Sequence, residues 1–180
     1  HGKVVEYGDT MDVTTNYENF LKKKSIKTVD REATMKDETP TPDIIEVDHA
    51  ELLNADYEPL EMVTQDEKVI VKIEYTVKND QIKKPVCGVA IRIVDNHYVC
   101  GLNTLLDGVQ IPWKKGRNVF YLEYEKMSLL TGEYYFDIAF FEEHATVPLV
   151  YKTKYVTMFI TGRYAGEGIV ILDHKWKDTT

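Results

Sequence analysis

The chain has 180 residues, 43% of them hydrophobic, and a formal charge of −8. That length and apolar content suffice for one domain with a real core and exclude wholesale disorder. The acid excess argues against nucleic acid and against anionic lipid headgroups, both of which are met by basic patches.

No run of about 18 apolar residues occurs, so no membrane-spanning helix is predicted. The N-terminus lacks the charged-then-apolar pattern of a signal peptide. It opens on His1 rather than Met, so the chain reads as a piece of a longer protein.

In chain order, residues 1–24 come first. Gly2–Gly8 reads as a short strand stopped by glycine. Thr10 caps a predicted helix in which Val13, Tyr17, Phe20 and Leu21 form one apolar stripe. A lone strand and helix cannot bury that stripe, so this tail is expected to dock on something. Residues 25–42 are charged, carry Pro40 and Pro42, and read as a flexible linker.

Residues 43–176 read as one all-β domain. Strands are predicted over 44–53, 68–78, 85–94, 97–104, 118–125, 133–141, 154–161 and 169–172. Turn signals fall between them at Asn79-Asp80, Asp95-Asn96, Lys115-Gly116 and Thr131-Gly132. Regular spacing without helical periods predicts an antiparallel β-sandwich, for which an immunoglobulin-like strand order is taken. Leu129-x-x-Gly132-x-Tyr134 fits a tyrosine corner, in which a buried Tyr hydroxyl bonds nearby backbone.

Alternation then sorts the faces. In 86–94, Cys87, Val89, Ile91 and Ile93 point to the core; Gly88, Ala90 and Arg92 point out. A hairpin turning at Asp95-Asn96 sets Cys100 opposite Ile91. Tyr98, Cys100 and Leu102 then join the core, and His97, Val99, Gly101 and Asn103 join the outer face. The same register holds Cys87 and Cys100 roughly 13 Å apart at strand rise, too far for a disulfide. In 133–141, Tyr134, Phe136, Ile138 and Phe140 point in, while Tyr135, Asp137, Ala139 and Phe141 point out. The outer face is thus expected to hold a shallow trough of small residues with polar borders. Its candidate ligand contacts are Arg92, His97, Asn103, Tyr135 and Asp137. Flat aromatics for C–H faces and planar donors and acceptors for hydroxyls suit a sugar. Two alternatives stay open for this face: plain solvation, or cover by the N-terminal helix or a second copy.

Other chemistry finds no support. Glu142-Glu143-His144 reads as a loop tip, with no second His at ligand spacing, so no metal is expected. There is no phosphate-cradling Gly-x-x-x-x-Gly-Lys-Ser/Thr loop and no Gly-x-Ser-x-Gly. No cofactor is predicted. Trp176 is expected to pack against the sandwich or a partner.

The motifs Pro85-Val86-x-Gly88, Ile91-Arg92, His97-x-Val99-x-Gly101-x-Asn103-Thr104, Ile111-Pro112 and Leu129-Leu130-x-Gly132-x-Tyr134-Tyr135 occur in that order. With the ending Gly166-x-Gly168…His174-x-Trp176, they resemble the C-terminal domain of Wzt-type proteins. Those are the ATPase subunits of ABC transporters that export O-antigen polysaccharide. Departures are Cys100, where an aromatic is common, and Lys175, where Arg is usual. The tail 1–24 is similar to the last strand and helix of an ABC nucleotide-binding domain.

The resemblance implies a non-catalytic glycan-binding module that recognises the O-antigen polysaccharide, at its non-reducing end. It implies a homodimer and a transmembrane permease reached through the parent protein; the glycine-bearing segment 161–168 reads either as a hinge for exchange of the C-terminal strand between copies or as a loop returning that strand to its own sheet. It places the domain in the cytoplasm, at the inner face of the inner membrane. The competing expectation is a structural dimerisation domain of the ATPase that makes no sugar contact.

Overall fold

The computed structural model describes residues 44–178. The predicted strand, helix and linker of residues 1–42 lie outside the described residues. Eight strands follow: β1 Ile45–Leu53, β2 Val63–Thr64, β3 Val69–Val77, β4 Val86–Ile93, β5 Tyr98–Asn103, β6 Gly116–Tyr124, β7 Gly132–Phe141 and β8 Pro148–Thr161. They form two layers. One sheet has the order β1-β3-β6 and the other β2-β8-β7-β4-β5. All pairings are antiparallel except the short β2–β8 pair. No described helix is long and apolar enough to cross a membrane.

Alternation explains the layering. Tyr134, Phe136, Ile138 and Phe140 of β7 are all buried, as are Cys87, Val89 and Ile91 of β4. They meet Val69, Val71, Ile73 and Tyr75 of β3 across the sandwich. The Tyr75 and Phe140 rings lie 4.7 Å apart, and the Tyr75 hydroxyl donates to the carbonyl of Pro112. Both cysteines are free, and burial pushes the Cys87 thiol up to about 12.

The tyrosine corner is present. The Tyr134 hydroxyl donates to the Leu130 carbonyl at 2.8 Å. Tyr134→Phe leaves that carbonyl without its donor and is expected to cost about 1 kcal/mol. Urea unfolding checks this; a variant as stable as the parent removes the corner from the stability account.

Three local expectations change. Predicted strand 154–161 is the second half of a longer strand, β8, that already begins at Pro148. Predicted strand 169–172 reduces to one bridge, Leu129↔Val170. It is held by hydrogen bonds from the Leu130 amide to the Ile169 carbonyl and from the Ile171 amide to the Ser128 carbonyl. Trp176 is 94% exposed and touches only the edge of the His174 ring among the aromatic contacts, so it does not pack on the sandwich.

The β4–β5 hairpin decides what the outer face looks like. Gly88↔Asn103, Ala90↔Gly101 and Ile91↔Cys100 pair as expected, but Arg92 pairs with Tyr98. Val99 is therefore an extra residue, a β-bulge. Counted from the paired end of the hairpin, one inserted residue swaps the side chain between it and the turn to the opposite face. Tyr98 thus stands outside beside Arg92, 57% exposed, and not in the core. Leu102 keeps its core-side register yet is 37% exposed, because β5 is the edge of a five-stranded sheet facing one of only three.

Candidate binding trough

The outer face of β4, β5, β7 and β8 carries an open trough of about 240 Å³. Its floor is small: Gly88, Ala90, Gly101 and Ala139. Its walls are Tyr98, Tyr151, Phe141 and Asn103, and Asp137 lies beneath. The floor follows from strand pairing, since Gly88 opposes Asn103 on one side and Ala139 on the other, while Ala90 opposes Gly101 and Asp137. Four short side chains on three neighbouring strands leave a depression that the flanking aromatics then edge.

Asp137 organises the centre. Its residue is 1% exposed, so its carboxylate must be satisfied by protein. Arg92 Nε approaches Oδ2 at 2.5 Å, and the Tyr151 hydroxyl donates to the same oxygen at 3.0 Å. The Lys154 amide donates to Oδ1 at 2.7 Å. That amide is spare because β8 bulges there. Pairing jumps from Phe136↔Val156 to Ile138↔Lys152, and Lys154 takes a positive φ of 48°. The bulge that leaves an N–H without a ladder partner is also what serves the carboxylate.

The network continues into the walls. Arg92 Nη2 donates to the Tyr98 hydroxyl, and Arg92 Cζ sits 4.0 Å from the centre of the Tyr98 ring. The Tyr98 and Tyr151 hydroxyls are 3.1 Å apart. Phe141 meets the Tyr151 ring edge-on at 6.4 Å. Burial, and next the hydrogen bond with Tyr98, push the Tyr151 hydroxyl above the ordinary phenol range, so it stays a neutral O–H.

The five residues expected from sequence do not share one role. Asn103 and Asp137 line the trough. Arg92 is outside the lining and is tied to two residues that belong to it, Asp137 and Tyr98. Asn103 also accepts the Leu106 amide at 2.9 Å, which pins the turn after β5. His97 stands at the hairpin tip, largely exposed, with Nδ1 2.9 Å from Asp95 and outside the trough lining. Tyr135 pairs with Arg92 across the sheet. Its hydroxyl donates to Glu133 at 2.8 Å, and Lys154 Nζ covers its ring at 4.8 Å, so it is also outside the lining. Tyr98 and Tyr151 are the walls the sequence did not reveal. A bulge hid the first, and the second lies in the part of β8 not read as strand.

The acid-rich loop after β7 is occupied structurally. Glu142 accepts amides from His144, Thr146 and Val147, and those bonds, Thr146 first, hold its carboxyl down at about 2. Among the described residues no group of three or more His, Cys, Asp or Glu could hold a metal ion.

Two comparisons with known proteins bear on this architecture. A family model described as the Wzt C-terminal domain matches residues 43–170. Among solved structures, the C-terminal domain of Wzt superposes with a TM-score of 0.71 at 15% identity, covering 79% of this chain and 89% of that one. A Niemann-Pick type C2 protein from Japanese carpenter ant gives a TM-score of 0.49 at 13% identity, covering 70% of this chain and 98% of the other. No curated protein matches significantly.

Proposed function

The chain belongs to the Wzt C-terminal domain family, and from that premise we propose that it is a non-catalytic module whose trough holds a segment of O-antigen polysaccharide for ABC-transporter export. The observation that supports this is the trough itself: a floor without side-chain bulk, three aromatic walls, and hydroxyls already fixed by a buried carboxylate. A pyranose presents a C–H face and a rim of hydroxyls. Tyr98, Tyr151 and Phe141 offer apolar surface to the first; Asn103 and the tyrosine hydroxyls offer partners to the second.

Asp137 argues for binding over catalysis. Its two oxygens take three protein donors, so its lone pairs are already committed to the fold. An Asp in this state orients neighbours.

The family context extends the reading. The ligand is taken at the non-reducing end of the polysaccharide, the protein works as a homodimer, and the parent ATPase meets a transmembrane permease. In this reading the domain works on the cytoplasmic side of the inner membrane. One trough gives micromolar to millimolar affinity, about −8 to −4 kcal/mol, and two in a dimer raise it through effective concentration.

The competing reading is a dimerisation domain without sugar contact. It draws on the exposed apolar groups Leu172 and Trp176 near the C-terminus, which suit a strand-exchanged partner. That segment hydrogen-bonds to 128–130, and no residue beyond Tyr151 lines the trough. Both roles are therefore sterically compatible.

Titration calorimetry with O-polysaccharide from the encoding strain tests the proposal. Tyr98→Ala removes an exposed wall and is expected to weaken binding roughly tenfold, about 1.4 kcal/mol, at unchanged Tm. Undiminished binding by that variant moves the site elsewhere.

A further inference from the structure

A second cavity, of about 200 Å³, opens at the end of the sandwich where the loops 78–85, 104–115 and 142–147 meet. Trp113 forms its apolar wall. Lys83, Lys84, Gln110 and Glu143 supply its polar groups. The wall is rigid. Trp113 follows Pro112, whose carbonyl accepts the Tyr75 hydroxyl, and its ring lies 6.5 Å from that of Tyr75. Asn118 holds Lys114 on the other side, accepting its amide at 3.2 Å and donating to its carbonyl at 2.7 Å. The indole Nε1 of Trp113 is buried without a hydrogen-bond partner.

This cavity borders the trough. Gly88, Asn103 and Phe141 lie in one; Val86, Thr104 and Glu143 lie in the other, one or two residues further along the same strands or the loops that follow them. Two residues of strand span about 7 Å, so a chain lying in the trough reaches the cavity with its next sugar.

The charge pattern names the ligand. Lys83 and Lys84 are both exposed, and among the described residues neither forms an ion pair. Two unpaired cations at one mouth are notable in a chain of net charge −8. Glu143 spends one oxygen on the Lys83 amide at 3.3 Å, which leaves the other as an acceptor for hydroxyls. Aromatic wall, hydroxyl acceptor and ammonium pair together fit a sugar ring carrying an acid group.

Resting on the trough reading above, we infer that the end cavity is a second saccharide subsite, taking the residue next beyond the trough when that residue bears a carboxylate or a phosphate. The ring lies on Trp113, its hydroxyls face Glu143 and Gln110, and its acid group meets Lys83 and Lys84.

The chain has two tryptophans, so its amide spectrum carries two indole N–H signals, and Trp176→Phe assigns them. The full chain is titrated with glucuronate and with glucose 1-phosphate, against glucose and against inorganic phosphate. Saturable movement of the Trp113 signal is expected with one or both acidic sugars; which of the two moves it tells carboxylate from phosphate. Glucose and inorganic phosphate are expected to leave it in place. Lys83→Ala with Lys84→Ala is expected to raise the half-saturation concentration at least tenfold. Gly101→Val, which fills only the trough, is expected to change nothing here. An equal response to glucose overturns the acid preference, and with it the inference. An equal response to inorganic phosphate makes this a simple anion site and overturns the inference, as does a response lost in Gly101→Val or unaltered in the double lysine variant. A Trp113 signal that responds as expected while Tyr98→Ala and Gly101→Val both bind polysaccharide normally would sink the trough reading and leave the end cavity standing.

Discussion

Asp137→Ala is expected to destabilise the domain by about 3–5 kcal/mol, the usual cost of removing one partner from a buried ion pair. Three donors lose their acceptor at once: the Arg92 guanidinium, the Tyr151 hydroxyl and the Lys154 amide. Arg92 is the costliest, because its side chain is only 16% exposed and keeps its charge. At roughly 2–4 °C per kcal/mol for a domain of this size, Tm falls by about 10 °C. Asp137→Asn keeps the shape and one acceptor and should lose less. The Tyr98 and Tyr151 walls lose their anchor in both variants, so polysaccharide binding should fall along with Tm. Thermal and urea unfolding decide the matter. A loss below about 1 kcal/mol for the alanine variant would mean that Arg92 finds water without difficulty and that Asp137 is not the hub described here.

Gly101→Val is expected to do the opposite: abolish most binding at no cost in stability. A Cβ built on Gly101 meets only the Ala90 Cβ, at 3.8 Å, which is ordinary contact. Glycine inside a strand costs about 0.5–1 kcal/mol relative to alanine, and β-branched residues suit strands. Tm should hold or rise. The added methyls occupy the trough floor, so a sugar ring is lifted off the aromatic walls. A loss of at least tenfold, about 1.4 kcal/mol, is expected by calorimetry. Gly88 is the poorer choice, since its Cβ would come within 3.1 Å of Phe141 Cε2 and disturb a wall as well as the floor. Because Gly101→Val removes no contact, retained binding could not be blamed on misfolding. It would show that the ligand never lies there.

Much of the frame was legible in the sequence because it rests on local rules. Period-two alternation sorted Tyr134, Phe136, Ile138 and Phe140 from Tyr135, Asp137, Ala139 and Phe141, and the first four are buried. The Asp95-Asn96 turn set Ile91 opposite Cys100. What escaped depends on irregularities. An extra residue at Val99 turned Tyr98 outward, and nothing in Tyr98-Val99-Cys100 announces a bulge. Tyr151 lies before a positive-φ residue, Lys154, that breaks the alternation of β8. Asp137 was placed on the right face, but its burial comes from partners 14, 17 and 45 positions away, which no local pattern reports. β2 is two residues long and leaves no periodic trace.

The bulge in the β4–β5 hairpin has a second effect. β5 is the last strand of its sheet, and a regular last strand offers an unbroken row of N–H and C=O groups to any extended peptide nearby. An inserted residue interrupts that row and steepens the local twist. The flank carrying Tyr98 is thereby a poor template for continuing the sheet into another molecule, which guards the edge beside the trough against edge-to-edge aggregation.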